Sequence, residues 1–394
     1  MIEKALQGSK GYWAWVAFLL AVMAVGAAFY VQQWNYGLGI TGMSRDVSWG
    51  LYISQFTFLV GVAAGGLMLV LPYYLHNYKD FGRITILGEF MAIAAVIMCL
   101  MFIIADLGQP MRALNVLLYP TPQSMLFWDM VVLNGYLALN LICGWAILHS
   151  EYKGVKYANW VKPLIYLSIP WAVSIHTVTA FLYAGLPGRD YWLAAILAPR
   201  FLASAFAAGP ALLLLIALII ERQTLFRVGR VAKDKLVTII TYAAVINFFF
   251  LACEFFTAFY SQYPSKIYTK AYLFWGLEKD GLVFSNLAPF MRLSVLIGVI
   301  GIIMILMARS RKSDIMLGVS CALIFLSLWI DKGVGMVLGG FVPNPMGQVT
   351  EYYPTIQELG ITAAIWATGF LILTILYKVA LSVKLEKEME QPSS

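Results

Sequence analysis

The sequence predicts an all-α integral membrane protein of about ten transmembrane helices, with two four-helix bundles (helices 2–5 and 6–9) flanked by helices 1 and 10. Three observations carry this. Of 394 residues, 61% are hydrophobic and only 12% charged, against roughly 45–50% and 25% in a soluble domain. Ten apolar runs come close to the ~20 residues that a bilayer requires. The basic residues also alternate between loops. Of 27 Lys and Arg, 18 fall before helix 1, after helices 2, 4, 6 and 8, and from the last turn of helix 10 onward. That asymmetry predicts a cell inner-membrane protein with both termini cytoplasmic. It also accounts for the formal charge of +7 without nucleic acid.

Taken in order, the spans are 12–31, 49–75, 84–105, 125–148, 163–184, 199–220, 236–260, 289–308, 315–330 and 358–381. The first looks like a signal anchor but runs on to Val31 without a small-residue cleavage site, so it is read as a retained helix. Helix 9 is the shortest. Residues 1–48 form the first helix and an outer loop, 49–184 the first bundle and 185–330 the second. Residues 331–394 hold an outer loop, the last helix and a cytoplasmic tail. Helix 2 reads FLVGVAAGG from Phe58 and helix 6 FLASAFAAG from Phe201, a small-residue run at one offset that suggests a parallel repeat of the two bundles. Recurrent Gly and Ala are also common in any packed membrane helix. Cys99, Cys143, Cys253 and Cys321 each stand alone in apolar runs, as small core residues do.

Polar residues inside spans carry the functional signal, because ionised groups in a bilayer are costly unless paired or wet. Helix 3 ends at Asp106, the chain turns through Gly108 and Pro110 to Arg112, and helix 4 carries Trp128 and Asp129 near its start. Asp106 paired with Arg112 could merely hold this turn. Tyr52 and Gln55 lie in the outer third of helix 2, and His176 lies about eight residues, roughly 12 Å, below the outer end of helix 5. All four helices of the first bundle thus offer a polar group at similar depth, which predicts a ligand pocket. Donors and acceptors of this kind suit a quinone, whose oxidation releases two protons. Asp129 and His176 are the expected proton acceptors, with Tyr52, Gln55, Asp106, Arg112 and Trp128 as the walls. In the second bundle, Glu254, Arg292, Asp331 and Lys332 read as a neutralising ion-pair network. Glu89, near the inner end of helix 3, reads as a snorkelling surface residue or the mouth of a proton path.

A b-type haem in a membrane bundle takes two axial ligands, yet of three histidines His76 and His149 fall in inner loops. With no Cys cluster and no Gly-rich nucleotide motif either, no redox cofactor is expected within the chain, and no metal site. Electrons would come from a diffusible carrier and pass to another subunit.

Five segments then resemble one family: WGLYISQFTFLVGVAAGG, DLGQPMR, SMLFWDM, SIHTVTAFLYAGLPGRDYW and YYPTIQELGI. They are similar to the membrane subunits of the NrfD/PsrC (polysulfide reductase) type, in the ten-helix branch and nearest to those of DsrMKJOP-type complexes. The resemblance implies a menaquinone/menaquinol site in the first bundle near the outer face, and no haem or iron–sulfur cluster in this chain. It also implies a periplasmic ferredoxin-like DsrO-like iron–sulfur partner, with DsrM-, DsrK- and DsrJ-like subunits beyond it, in sulfate or sulfite respiration. One departure is visible. Some relatives carry a glutamate where this chain has Trp128, followed by Asp129, and one position turns a helical side chain by about 100°. A docking surface is expected on the outer loops 106–124, 185–198 and 331–357. A secondary transporter, a proton-translocating module or a plain membrane anchor are the competing functions; the chain shows no pair of Gly/Pro-broken helices at matching depth.

Overall fold

The computed structural model describes residues 2–75 and 78–390. His76, assigned above to a loop, lies outside them. Among the described residues ten helices are long and apolar enough to cross a membrane. They are α1 (Lys10–Tyr36), α2 (Leu51–Gly65, continued by Leu67–Leu75), α3 (Gly82–Asp106), α4 (Met125–Tyr152), α5 (Val161–Ala184), α6 (Leu197–Gln223), α7 (Arg230–Tyr260), α8 (Ala288–Arg311), α9 (Asp314–Leu328) and α10 (Ile356–Glu390). The chain is a multi-pass, all-α membrane protein. The termini share one face, called here the terminal face; the opposite one is the distal face. Between α7 and α8 the distal face carries a short helix, Pro264–Phe274, and a hairpin pairing Leu277–Lys279 with Leu282–Phe284.

Helices α2, α3 and α6 are buried on nearly all sides, whereas α1 and α8 are mostly lipid-facing. A helix apolar all round belongs in a core or in lipid, so composition alone does not separate the two cases. Small residues do. Gly65 of α2 and Gly209 of α6 approach until a Cβ on either would stand 2.5 Å from the other's Cα. The two repeated small-residue runs therefore form the seam between α2 and α6, the close backbone approach that Gly permits between membrane helices. At this level α2 is interrupted at Gly66, while α6 passes through Pro210 unbroken. Helices α4 and α5 pack together, as do α8 and α9, and α6 contacts α7 and α9. Helix α1 packs along α10, where Gly26 meets Ala364 and Gly360 meets Phe29.

Two details differ from expectation. Helix α9 does not stop near residue 330: a π-helical segment, Trp329–Gly335, and one further turn, Met336–Gly339, carry it to the distal face. Asp331 and Lys332 are thus buried within the membrane span, and the following loop begins only at Gly340. Extra-residue turns of this kind occur mostly where a helix must re-aim side chains at a site. The start of α10 is a capping box, with Thr355 N–H donating to Glu358 (2.9 Å) and Glu358 N–H donating to Thr355 Oγ1 (3.4 Å). Glu358 also accepts from Gly42 N–H and from Tyr352 OH. The late YYPTIQELGI motif therefore ties the distal loops together.

Candidate functional site

Two charged clusters lie side by side in the distal half. The first is closed. Arg200, in the first turn of α6, reaches both oxygens of Glu254 at 2.7 Å and both of Asp331 at 2.7 and 2.8 Å. Lys270, from the short distal helix, donates to Glu254 at 2.6 Å. Burial works against the Lys270 charge, but the adjoining Glu254 carboxylate prevails and holds its pKa above the ordinary lysine value. Two cations thus meet two carboxylates. The expected network is present in kind but not in membership: Arg292 instead donates to Phe274 O at 2.8 Å, and Lys332 turns away. Adjacent positions of a helix point about 100° apart, so Asp331 and Lys332 serve different neighbours.

The second cluster is open. Lys332 Nζ lies 3.0 Å from His176 Nε2 and 4.3 Å above the Phe201 ring. Both side chains are buried, and among the described residues no carboxylate is within ion-pair distance of Lys332. Space for the pair comes from Gly61, where a Cβ would stand 3.1 Å from Nζ. His176 Nδ1 is buried with no hydrogen-bond partner. With Lys332 donating to Nε2, the proton of a neutral imidazole resides on Nδ1. One turn along α5, Thr179 Oγ1 lies 2.7 Å from Asp129 Oδ1. A further turn on, Tyr183 OH bonds Thr57 Oγ1. Positions 176, 179 and 183 follow the i, i+3, i+7 spacing of one helix face, and that spacing would have singled out Thr179 and Tyr183 beside His176.

Towards the distal face the cluster is roofed by Trp49, Tyr183, Trp192 and Phe341, which pack edge to face or tilted. Arg189 lies over Phe341, its pKa below the usual arginine value through burial, offset in part by Asp46. Towards the lipid, the α5–α6 junction leaves a groove of about 290 Å³ lined by Ala180, Phe181, Ala184, Leu193, Leu197 and Ala198. Leu197 also lines a small cavity against Arg200, Phe201 and Lys332.

Of the predicted residues, Asp129 meets α5 at Thr179, one turn from His176. Asp129 faces inward and Trp128 outward, its indole donating to Pro122 O at 2.8 Å, so the one-position departure in helix 4 leaves the acid on the buried side. The other expected walls are elsewhere. Tyr52 OH donates to Gln33 at 2.7 Å, and Gln55 accepts from the indoles of Trp329 and Trp366. Among the described residues Asp106 Oδ1 is buried without a partner, while Arg112 is exposed; the pairing that could have held the turn is not made. Arg200, Lys270 and the His176 contact of Lys332 were not foreseen. Arg200 and Lys270 fall at the edges of apolar runs, where a basic residue ordinarily reads as a loop charge.

The sequence profile of the family described as "Polysulphide reductase, NrfD" matches residues 39–331. The chain is 31% identical over 235 residues to a putative membrane subunit of dimethyl sulfoxide reductase from Halobacterium salinarum, covering 55% of this chain and 53% of that protein. It is 27% identical over 238 residues to one of the subunits of selenate reductase from Mesobacillus selenatarsenatis, covering 52% and 55%. It is 29% identical over 218 residues to an Hdr-like menaquinol oxidoreductase integral membrane subunit of Archaeoglobus fulgidus, covering 54% and 52%. The chain thus spans about half the length of the curated relatives it matches.

Proposed function

The chain belongs to the polysulphide reductase NrfD family, and on that basis we propose that it is the quinone-interacting membrane subunit of a respiratory redox complex. In this reading it passes electrons between menaquinol or menaquinone and an iron–sulfur partner. The reading extends to a DsrMKJOP-like assembly in sulfate or sulfite respiration, with a DsrO-like subunit on the distal loops and DsrM-, DsrK- and DsrJ-like subunits beyond. The terminal face is cytoplasmic in this orientation, which the distribution of Lys and Arg supports, and the membrane is the inner one.

The observation that carries the proposal is the open cluster: an unspent donor on His176 Nδ1, held by Lys332 and one turn from a buried carboxylate. An apolar groove at the adjoining α5–α6 junction suits an isoprenoid-bearing ligand arriving from the bilayer. The Archaeoglobus relative, named for menaquinol, supports the choice of quinone. Menaquinol supplies two electrons and two protons per oxidation. With Lys332 an ammonium donating to Nε2, His176 presents Nδ1–H to a carbonyl oxygen; with Lys332 a neutral amine accepting from Nε2–H, it presents a bare Nδ1 to a hydroxyl, and the proton taken there is matched by the Nε2 proton passing to the amine. Asp129, oriented by Thr179, is the second proton acceptor. The aromatic roof keeps bulk water from the cluster, and the electrons leave for the iron–sulfur partner.

Quinol-dependent electron transfer and bound quinone, measured in the assembled complex carrying Asp129→Asn or His176→Ala, test this. Loss of turnover with assembly intact is the expected result. Normal turnover and normal quinone content in both variants would overturn the site, and absence of quinone from the wild-type complex would leave the anchor or transport readings.

A further inference from the structure

Glu89 is on α3, seven residues in from the terminal face, and belongs to neither distal cluster. It is only 5% exposed, so the snorkelling reading does not hold. Among the described residues its Oε2, which is buried, has no hydrogen-bond partner, and no cation stands within ion-pair distance of it. A carboxylate that served the fold would be bonded as Glu358 is, by backbone and hydroxyl donors on both oxygens. Glu89 is instead aimed into space. A cavity of about 90 Å³ lies on its terminal side, lined by Thr85, Ser150, Glu151, Lys156 and Tyr157. A second, of about 10 Å³, lies deeper, against Tyr136, Asn140 and Ser168. Glu89 lines both. A polar cavity needs ~10–15 Å³ for each water it holds, so the first has room for several waters and the second for about one.

We propose that Glu89 is a proton-exchanging site served by water from the terminal face, a second functional site on the side of the membrane opposite the His176–Lys332 cluster. An unpaired carboxylate in a membrane interior is costly enough that the neutral acid is the resting form. The charged and titratable groups around it do not remove that cost. Lys384 of α10 is spent on Glu151 of α4 and on Gly82 O. Tyr73 and Tyr74 of α2, and Tyr136 and Cys143 of α4, are phenols and a thiol, which carry no charge at neutral pH. Beside the carboxyl, Gly144 keeps the space open: a Cβ there would stand 3.5 Å from Oε2. Beyond Tyr136 the polar path stops. The next turn of α4 towards Asp129 is filled by Val132 and Leu133, both buried, so the cavities make a half-channel that ends short of the distal cluster. The transferred species is a proton alone, exchanged between water and the Glu89 carboxyl, and no electron moves.

The inference stands whether or not the distal cluster takes a quinone, and its test needs neither quinone nor partner. Infrared spectra of the full chain in lipid are recorded in H₂O and after transfer to D₂O at neutral pH. A protonated-carboxyl band is expected that shifts promptly in D₂O, is lost in Glu89→Gln and moves in Glu89→Asp. Ser150→Phe, which fills the terminal-side cavity, should slow that shift at least about tenfold, the effect of ~1.4 kcal/mol of added barrier. Leu133→Val, past the end of the half-channel, should leave its rate unchanged. No band sensitive to both Glu89 variants, a band that fails to exchange in the folded protein, or exchange indifferent to Ser150→Phe would each overturn the proposal.

Discussion

The two distal clusters share a helix segment, a depth and much of their composition, yet one is saturated and the other is not. Around Arg200, two cations and two carboxylates account for one another. Around His176, among the described residues, a lysine meets an imidazole, an imidazole nitrogen has no partner, and the nearby carboxylate accepts from a threonine. Buried ionic groups that satisfy each other hold a structure in one arrangement, though with little net gain in stability. Groups left unsatisfied are where chemistry or a ligand has to be sought. The π-helical turn is what divides the two, since it delivers Asp331 to the closed cluster and Lys332 to the open one.

The largest test of this division is Arg200→Leu. It strands Asp331 with no cation and leaves Glu254 with Lys270 alone. Removing one partner of a buried ion pair costs about 3–5 kcal/mol, so the variant should assemble poorly and unfold at a markedly lower temperature in detergent. Changing Arg200, Glu254, Lys270 and Asp331 together to apolar residues, which leaves no buried charge unpaired, should recover part of that loss. An Arg200→Leu protein as stable as wild type would place the cluster outside the fold's support.

Lys332→Met is the opposite case. No carboxylate is stranded, and a flexible apolar chain replaces an ammonium over the Phe201 ring, so thermal stability should change by no more than about 1 kcal/mol in either direction. Quinol-linked turnover should fall by about a hundredfold or more, the usual worth of a positioned acid–base group, because the imidazole loses the contact that fixes its proton. Equal loss of stability in Lys332→Met and Arg200→Leu would erase the distinction between the clusters.

How much of this was legible in the sequence follows from what each signal measures. Spans are set by run length, and all ten were readable as such. Asp129 and His176 stood out because an ionisable residue inside an apolar run has few ordinary explanations. The repeated small-residue runs at Phe58 and Phe201 were visible, but that they face one another at Gly65 and Gly209 depends on helix pairing, which periodicity does not encode. Arg200 and Lys270 were hidden because a basic residue at the end of a run looks like a topological charge. Lys332 was seen but joined to the wrong network, since an extra-residue turn has no composition signature and neighbouring positions on a helix face different ways. Arg112 and Trp128 were drawn in by a motif, although proximity in sequence says nothing of which side of a turn meets the core.

The smallest effect concerns Lys270, the one member of the closed cluster outside the spans. Its pKa in the folded protein is raised above the ordinary lysine value because Glu254 outweighs the burial that opposes the charge. A group whose folded pKa is raised contributes stability that is fully present below its unfolded value, about 10.4 for lysine, and is lost as pH rises through the folded value. Lys270 therefore adds no pH dependence between about pH 6 and about pH 9, and its contribution fades only in strong alkali. Unfolding temperatures of wild type and Lys270→Met should run parallel across that range, with the wild type higher, and converge only above about pH 10. Curves that converge near neutrality would mean that Lys270 is not held by Glu254, and that the cluster described as closed exchanges protons as readily as the open one.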